Sequence, residues 1–557
     1  MNTTNQPTIH ALYRTTISLH HRHYNRSAKG EKSIMGSVIS TIRDTLNAAR
    51  DVMVVLSSLS TKYKALRERI ASAPGLPVPE PTSSYWLDDP PFPDLVDMQN
   101  DVPAAADVVV IGSGITAAAS ARAILELTAH LAAPPTVVVL EARQVCGGAT
   151  GRNGGHIKTA PYEVYGMMKK RIGKERALEV VRFQMRHLGV LLELGDEFPL
   201  GEVREVETVD LFLGEGLYRK AVGEVEELKG LIGGEFEAKV CEGAEARKMF
   251  DVNEHVKGAI SYKAGALWPY RLVTSVWDDL IRSFPNLSIT THAAVESVTP
   301  SSSDSHPFEV KSVRGTVQAR HVLHATNGFA TQLLPPSFRS SLTGALAHMS
   351  AQKPGDKFPK YGGGRSWSVM SEPAGLEYIT QRPGQDGRGD LMIGGGFLRS
   401  KDQGLDQFGV WDDGRVDALP LMHIRGCMQT VFEPNWGMGG GMLKAWTGIL
   451  GFTGDFMPLV GRVQNRQRGN PGVGDRDGDL AAPGEWVAAG YCGEGMVWAW
   501  LCGTAIGVMI AGREDEALDE VVGRPGGKLA EWFPRELGLD SGRLQRADLK
   551  HLARELA

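Results

Sequence analysis

The stretch ADVVVIGSGITAAASARAILEL, residues 106–127, combines an apolar strand, a glycine turn and an alanine-rich helix with no spare residue between them. Its glycine pattern is Gly112-x-Gly114-x-x-Ala117. The first glycine permits a tight turn, the second lets the backbone approach a pyrophosphate, and a small third residue allows helix and strand to pack closely. The free N–H groups at the start of the helix suit a phosphate. The stretch therefore predicts the nucleotide-binding end of a parallel sheet.

A second apolar strand, TVVVLEA, carries Glu141 near its end and supports this prediction. An acid at that position typically accepts hydrogen bonds from ribose hydroxyls. The interval from Gly114 to Glu141 is 27 residues, longer than the usual ~20, and a long helix followed by the LAAPP turn explains the excess. A purely structural turn is the alternative. Strand, turn, helix and second strand together favour a bound nucleotide.

Composition limits the classes of function. Of the 557 residues, 42% are hydrophobic and 22% are charged, as in an ordinary globular protein. A net charge of −5 disfavours a nucleic-acid partner, because phosphate binding requires a basic face. The five irregularly spaced cysteines indicate a reducing compartment, and they show no metal-binding spacing. We therefore expect neither a nucleic-acid partner nor a metal.

Two segments bear on location. The apolar run Met496–Ala511 is shorter than the ~20 residues of a membrane-spanning helix, so we predict a buried helix and no transmembrane segment. The first 35 residues are poor in acids and resemble a mitochondrial transit peptide. A disordered tail, or an extension upstream of a start at Met35, is the alternative. We expect an intracellular protein, either cytoplasmic or mitochondrial.

Further glycine-rich motifs favour a flavin over a nicotinamide cofactor. CGGATGRNGGH at 146–156 follows Glu141 directly, and its glycines let the backbone wrap a ligand closely, which a nicotinamide site does not need there. ATNG at 325–328, TGDFMPLVG at 453–461 and GEGM at 493–496 follow in that order. The chain thereby resembles the D-amino-acid-oxidase-like FAD-dependent oxidoreductases over about residues 76–512. It is most similar to fungal members and to the glycine/sarcosine oxidase and gamma-glutamylputrescine oxidase relatives.

The resemblance implies an α/β fold with two domains. One is a Rossmann-like FAD-binding domain of the glutathione-reductase-like type, and the other is a mostly antiparallel β domain for the substrate. The alternation of polar and apolar residues within 340–445 agrees with such a sheet. We predict a tail or targeting segment (1–35), an N-terminal helix and proline-rich wrapping segment (36–106), an FAD-binding domain (107–335) with a helical insertion (about 162–260), a substrate-binding β domain (336–445), a return to the FAD-binding domain (446–512) and a C-terminal tail (513–557).

The resemblance also implies roles for individual residues toward FAD. The pyrophosphate, the adenosine ribose and adenine would be held by Gly112, Ser113, Gly114, Thr116, Glu141 and the backbone of Val295. The ribityl chain and isoalloxazine would be lined by Thr150, Arg152, Asn153, Gly154 and Gly155. Asn327 would close over the nucleotide, and Asp455 would lie near the ribityl and phosphate groups. A helix beginning at Gly493, Glu494, Gly495 and Met496 would direct its positive end at the pyrimidine edge.

The implied reaction removes a hydride from a C–H beside nitrogen and passes it to flavin N5, giving an imine. The substrate would be a small amine or amino acid, and the electron acceptor would be oxygen or another molecule. The candidate catalytic residues are His156, Tyr378, Arg382 and Trp446, with His348 and Trp367 as further candidates in the same sheet. Arg382 would hold a substrate carboxylate or form a surface ion pair. Trp446 would form a wall over the flavin or fill core.

The mode of flavin attachment and the class of reaction stay open. Related sarcosine oxidases carry a flavin-linked cysteine seven residues before the aspartate of the TGD motif, and Gly448 at that position excludes attachment there. His156 is then either an alternative attachment point or a hydrogen-bonding neighbour. Two other classes of function compete: an NAD(P)H-dependent flavin monooxygenase, and a non-catalytic protein with a flavin-binding fold.

Overall fold

The computed structural model describes Ser57 and residues 60–372, 375–464, 476–477 and 480–555, so the predicted tail 1–35 lies outside the described residues. The strands are β1 (Ala105–Ile111), β2 (Val137–Leu140), β3 (His156–Ile157), β4 (Arg204–Phe212), β5 (Ala238–Glu242), β6 (Gly258–Ala266), β7 (Leu287–Thr290), β8 (Val295–Pro300), β9 (Phe308–Ser312), β10 (Gly315–His324), β11 (Leu342–Lys353), β12 (Arg365–Ser371), β13 (Gly375–Gln381), β14 (Leu391–Gly395), β15 (Gly441–Thr453), β16 (Leu459–Arg462), β17 (Arg476–Asp477), β18 (Leu480–Ala481) and β19 (Gly484–Ala489). The longer helices span Ile115–Thr128, Pro161–Ile172, Lys174–Glu197, Glu215–Ile232, Gly243–Phe250, Pro269–Ser283, Ala418–Phe432 and Ala499–Ile510. Short helices span Pro93–Val96, Leu529–Trp532, Arg543–Arg546 and Lys550–Glu555.

The first sheet is built around β1, the apolar strand that precedes the glycine turn. Its strand order is β16-β19-β10-β1-β2-β7, with the β8–β9 hairpin joined to β10. The pairs β19–β10, β10–β1, β1–β2 and β2–β7 are parallel. The chain leaves β1 toward β2 and β7 and returns on its other side as β10, so the order reverses between β1 and β10. Ligands of open α/β sheets bind at such a point, outside the carboxyl ends of the strands.

Small residues let two helices pack closely over this sheet. The helix Ile115–Thr128 runs beside the helix Ala499–Ile510, and Ser120 Oγ donates a hydrogen bond to the Gly503 carbonyl at 2.9 Å. A Cβ at Gly507 would lie 2.6 Å from Ala123 Cβ, which excludes a larger residue there. The apolar run around 496–511 therefore forms a buried helix, as predicted. No helix within the described residues is both long and apolar enough to cross a membrane.

The second sheet has the strand order β15-β11-β14-β13-β12-β4-β6-β3, with β5 beside β6. Its pairs are antiparallel except for β12–β4, which is parallel. The predicted α/β fold with a second, mostly antiparallel sheet is confirmed. This sheet takes strands from 156–266 as well as from 342–453, so the chain enters it early and returns to it later. The domain boundaries themselves stay a prediction.

His187 lies buried where the helix Lys174–Glu197 meets the helix Ala499–Ile510. Its Nδ1 bonds to the Phe183 carbonyl at 2.9 Å, and Leu501 N–H donates to its Nε2 at 3.3 Å. A neutral imidazole satisfies both bonds, whereas a protonated one would direct a second N–H at a donor. Burial accordingly lowers the pKa of His187 to about 4.

The low pKa of His187 predicts a loss of stability in acid. Below pH ~6.5 His187 is protonated in the unfolded chain and still neutral in the folded protein. The free energy of unfolding therefore falls by about 2 kcal/mol at pH 5, and the fall levels off near pH 4. Thermal unfolding at pH 7 and pH 5 measures this loss. We expect a smaller loss in the His187→Gln variant. An equal loss in both proteins would contradict the assignment.

Candidate nucleotide and substrate site

The glycine turn lies where the carboxyl ends of β1 and β10 meet. Gly112 has φ +101°, and a Cβ there would lie 2.9 Å from the carbonyl oxygen of Ala325, just after β10. A Cβ at Gly114 would lie 2.8 Å from Thr150 Oγ1, which accepts a hydrogen bond from Ile115 N–H. Side chains are thus excluded from both glycine positions. A tight glycine turn at a helix N-terminus fits a pyrophosphate.

Glu141 follows β2, with its carboxylate fixed beside the turn. One oxygen accepts hydrogen bonds from Ser113 N–H at 3.0 Å and Ser113 Oγ at 2.6 Å, and the other accepts from Arg143 N–H at 2.9 Å. Thr116, in the first turn of the helix, bonds through its hydroxyl to the Tyr491 hydroxyl at 2.8 Å. The structure therefore brings the predicted pyrophosphate and ribose residues together. Their contacts with a nucleotide stay predictions.

The glycine-rich loop at 150–155 connects this turn to the second sheet. A Cβ at Gly154 would collide with the ring of Tyr378 on β13, and one at Gly155, where φ is +62°, would collide with the Leu267 carbonyl. Asn153 Oδ1 accepts a hydrogen bond from Gly155 N–H at 2.7 Å. The loop backbone is thus pressed against the second sheet.

Arg152 directs its guanidinium at protein partners. It donates to the carbonyls of Gly147 at 3.0 Å, Thr447 at 2.7 Å and Thr82 at 2.6 Å. Its Nε also lies 3.6 Å from the Asp413 carboxylate. Burial lowers the pKa of Arg152 to about 10. The guanidinium therefore holds the loop in place, and contact of this residue with the flavin stays a prediction.

Strand alternation divides the candidate catalytic residues between the two faces of the second sheet. The ring of His156 stacks on that of Tyr378 with centroids 6.4 Å apart. Trp446 lies on the same face, because it pairs with Met349, whose Sδ accepts a hydrogen bond from the Tyr378 hydroxyl at 3.0 Å. Trp446 is fully buried, and its Nε1 donates to the Arg152 carbonyl at 2.8 Å.

Two other candidates, His348 and Trp367, face away from that group. His348 Nε2 accepts a hydrogen bond from Asp417 N–H at 3.0 Å, and burial lowers the pKa of His348 to about 4. Trp367 is fully buried in a separate apolar cluster with Phe358 and Phe432. Neither side chain therefore lies with His156 and Tyr378.

A buried charge cluster lies on the same face as His156. Lys158 lies just beyond β3, and its bond to Ser368, two positions along β12 from the Ser366 that bonds to His156, puts both side chains on one face. Its Nζ donates to Asp210 Oδ1 at 2.5 Å and to Ser368 Oγ at 2.5 Å. The other Asp210 oxygen accepts hydrogen bonds from the hydroxyls of Tyr162 at 2.7 Å and Tyr262 at 2.8 Å. Asp210 is fully buried and is surrounded by donors.

The surroundings shift the titration of this group of residues. Burial, reinforced by the charge of Lys158, holds the pKa of His156 well below its usual value, so the imidazole is neutral. Burial, then the charge of Asp210, raises the pKa of Glu163 to about 7. Burial raises the pKa of Tyr378 to about 12. Perturbed titration of several neighbouring groups is typical of functional sites.

The GEGM segment approaches the charge cluster from the other side. Glu494 accepts a hydrogen bond from Gln184 Nε2 at 2.9 Å. Its residue surface is exposed, yet burial raises the pKa of its carboxyl group. Gly493 has φ +87°, and a Cβ at Gly495 would meet no atom within 4 Å, so the backbone here is open. Met496 is buried.

The remaining predicted residues have partners within the protein. Arg382 donates to Glu202 at 2.6 Å and to the Tyr85 hydroxyl at 3.0 Å. The Asp455 carboxylate accepts a hydrogen bond at 2.7 Å from the guanidinium of Arg543, which lies in the C-terminal segment. The Asn327 side-chain oxygen Oδ1 accepts a hydrogen bond from Gly490 N–H at 2.9 Å, and Val295 begins β8 with its side chain buried. Roles of these residues toward substrate or cofactor stay predictions.

Sequence reasoning missed Lys158, Asp210, Tyr162 and Tyr262. A signal existed for Lys158, because a lysine two positions after His156 in a strand shares its face. Nothing in the sequence linked it to Asp210, which is 52 residues away in another strand of the sheet.

The chain was compared with known proteins. A family model described as FAD dependent oxidoreductase (DAO) matches residues 107–507. No curated protein sequence matches the chain. Glycine oxidase from Geobacillus kaustophilus aligns with 16% identity and a TM-score of 0.55, covering 77% of this chain and 98% of that one. L-amino acid deaminase from Proteus myxofaciens has 14% identity and a TM-score of 0.55 (83% and 97% covered). Iminodiacetate oxidase from Chelativorans sp. BNC1 has 16% identity and a TM-score of 0.53 (75% and 96% covered). These structures share the fold.

Proposed function

The chain belongs to the FAD-dependent oxidoreductase family, and from that premise we propose that it oxidises a C–N bond of a small amine or amino acid to an imine. The observation that carries the proposal is the Lys158–Asp210 cluster, which lies beside a neutral His156 on the face that meets the glycine-rich loop. Three proteins of similar fold are named glycine oxidase, L-amino acid deaminase and iminodiacetate oxidase. Each name specifies a substrate with nitrogen bound to carbon.

FAD fits the residues of the first sheet. Side chains are excluded from Gly112 and Gly114, the Glu141 carboxylate lies beside the turn, and the backbone at Gly495 is open. We propose that the turn holds the pyrophosphate, Glu141 the ribose, and the loop 150–155 with the GEGM segment the flavin. Bound FAD would supply the acceptor for a hydride, and with it two electrons, from the substrate carbon.

The substrate must reach the site as a neutral amine, because its nitrogen lone pair drives the hydride off carbon. The nitrogen loses a proton as the imine forms, and water then hydrolyses the imine to a carbonyl and an amine. The neutral His156 imidazole adds no second positive charge beside Lys158. The Lys158 ammonium, two of whose N–H groups go to Asp210 and Ser368, offers its third to a polar group at the far end of the substrate, and the Tyr162 and Tyr262 hydroxyls hold its Asp210 counter-charge. These buried groups orient the reacting carbon and exclude water from it.

The proposal is tested by mixing the FAD-loaded protein anaerobically with secondary amines, polyamines and amino acids, with NADPH as a separate arm. We expect at least one C–N compound to bleach the flavin absorbance and NADPH to leave it unchanged. Admitting air afterwards separates an oxidase from a dehydrogenase by the rate of flavin reoxidation. Bleaching by NADPH alone would overturn the proposal in favour of a monooxygenase.

A further inference from the structure

We propose that residues 82–88, here named the strap, position the flavin-facing loop 150–155, and that Trp86 is the positioning residue. The strap lies before residue 107, where the match to the family model begins. It is therefore a feature of this chain outside the matched region. The proposal rests on the family's cofactor and not on the identity of the substrate.

Trp86 bonds directly to the backbone of the loop. Its ring is 1% exposed, and its Nε1 donates to the Asn153 carbonyl at 2.5 Å. The Trp86 carbonyl in turn accepts a hydrogen bond from Trp268 Nε1 at 2.9 Å, and the two indoles pack edge to face at 5.5 Å. The next strap residue, Leu87, lies so close to Gly151 that a Cβ there would be 2.9 Å from Leu87 Cδ2. The strap thus fixes both the position and the packing of the loop.

The contact with Trp86 is one of a series along the loop. The carbonyl of Arg152 accepts from Trp446 Nε1 at 2.8 Å, and the carbonyl of Gly154 accepts from Thr380 Oγ1 at 2.6 Å. Asn153 lies between these two residues, and its carbonyl accepts its hydrogen bond from Trp86 of the strap. A planar trans peptide directs its N–H opposite to its carbonyl. The bond from Trp86 therefore also fixes the Gly154 N–H, which points away from the strap.

The N-terminal end of the strap is anchored at Thr82. Its N–H donates to the Asp413 carbonyl at 2.8 Å, and its carbonyl accepts from Arg152 at 2.6 Å. Its hydroxyl oxygen accepts from Thr447 N–H at 2.9 Å. The strap therefore binds the loop and β15 at the same point.

The middle and the C-terminal end of the strap are anchored to the second sheet. The Tyr85 hydroxyl donates to Asp390 at 2.9 Å and accepts from Arg382 at 3.0 Å. At the far end, Asp88 forms an ion pair with Lys444 on β15. These contacts account for the position of Arg382 and make the strap a rigid support for the loop.

The test compares Trp86→Phe with Trp500→Phe. Both substitutions keep an aromatic ring in the core and remove one indole hydrogen bond, because Trp500 is also 1% exposed and donates to the Gly523 carbonyl at 2.7 Å. The readouts are thermal unfolding, the FAD dissociation constant, the visible spectrum of the bound flavin and its midpoint potential, all without substrate. The spectrum and the potential report on the flavin whether it is attached covalently or not.

We expect both variants to lose thermal stability, and only Trp86→Phe to change the flavin spectrum and potential. Its FAD dissociation constant should rise about tenfold, equivalent to about 1.4 kcal/mol. Leu87→Ala, which removes packing and no hydrogen bond, should raise the FAD dissociation constant less. It replaces Trp86→Phe as the test variant if Trp86→Phe does not fold. FAD affinity, spectrum and potential indistinguishable from those of Trp500→Phe would overturn the proposal. Because no substrate is used, this outcome is independent of the proposed reaction.

Discussion

Replacing Asp210 with asparagine is expected to lower kcat/KM for the reducing substrate by about a hundredfold. The change leaves the Lys158 ammonium without its buried counter-charge and removes the negative acceptor of the Tyr162 and Tyr262 hydroxyls. Breaking a buried ion pair typically costs about 3–5 kcal/mol, and about 1.4 kcal/mol corresponds to a factor of ten in rate. We expect the donors to reorganise and the substrate to lose its orientation. The measurement is the rate of anaerobic flavin reduction as a function of substrate concentration.

Glu377→Gln is the matched control for Asp210→Asn. Glu377 is 2% exposed and lies 2.8 Å from His423 on the opposite face of the same sheet. The Glu377→Gln substitution should lower the unfolding temperature without changing the rate of flavin reduction. The double variant Lys158→Met/Asp210→Asn, which removes both charges, should recover stability and not kcat/KM. Recovery of both would show that the cluster acts only on folding.

Replacing Gly112 with alanine is expected to weaken FAD binding by about a hundredfold or more. Gly112 has φ +101°, and a Cβ would lie 2.9 Å from the Ala325 carbonyl. Relief of that contact must separate the ends of β1 and β10 and shift the helix N-terminus that we propose to hold the phosphates. The ratio of flavin to protein after gel filtration, followed by titration of the apoprotein with FAD, measures the effect.

Gly173→Ala is the control for the backbone conformation alone. Gly173 has φ +84°, and a Cβ there would meet no atom within 4 Å. The Gly173→Ala variant should be less stable by about 1–2 kcal/mol, because alanine disfavours a positive φ, and its FAD affinity should be unchanged. Equal losses of FAD affinity in both variants would mean that backbone strain, and not the geometry of the turn, weakens binding.

The nucleotide-binding half was predictable because its rules are local. Gly112, Gly114 and Glu141 are placed by a strand, a turn and the next strand, and these elements fix one another over a few tens of residues. The buried helix around 496–511 followed from its length and composition. The order of the glycine-rich motifs pointed to the family that the comparison shows.

The candidate site on the second sheet was less predictable because it depends on strand register and on partners distant in the chain. Alternation places Tyr378 and Trp446 on one face and His348 and Trp367 on the other, but the sequence does not say which face meets the cofactor. Arg382 was expected to hold a substrate carboxylate or to form an ion pair, and the sequence did not identify its ion-pair partner Glu202, which is 180 residues away. The Lys158–Asp210 pair likewise joins strands whose neighbours only the folded sheet reveals.

Single-turnover flavin reduction tests whether the protein removes a hydride from the carbon beside nitrogen in its substrate. The FAD-loaded protein is mixed anaerobically with its best amine or amino-acid substrate, unlabelled or deuterated at the carbon beside nitrogen, and the products are identified. We expect slower bleaching with the deuterated compound, and one carbonyl product and one molecule of amine or ammonia released for each flavin reduced. Bleaching without an isotope effect and without a carbonyl product would contradict hydride removal from a C–N substrate.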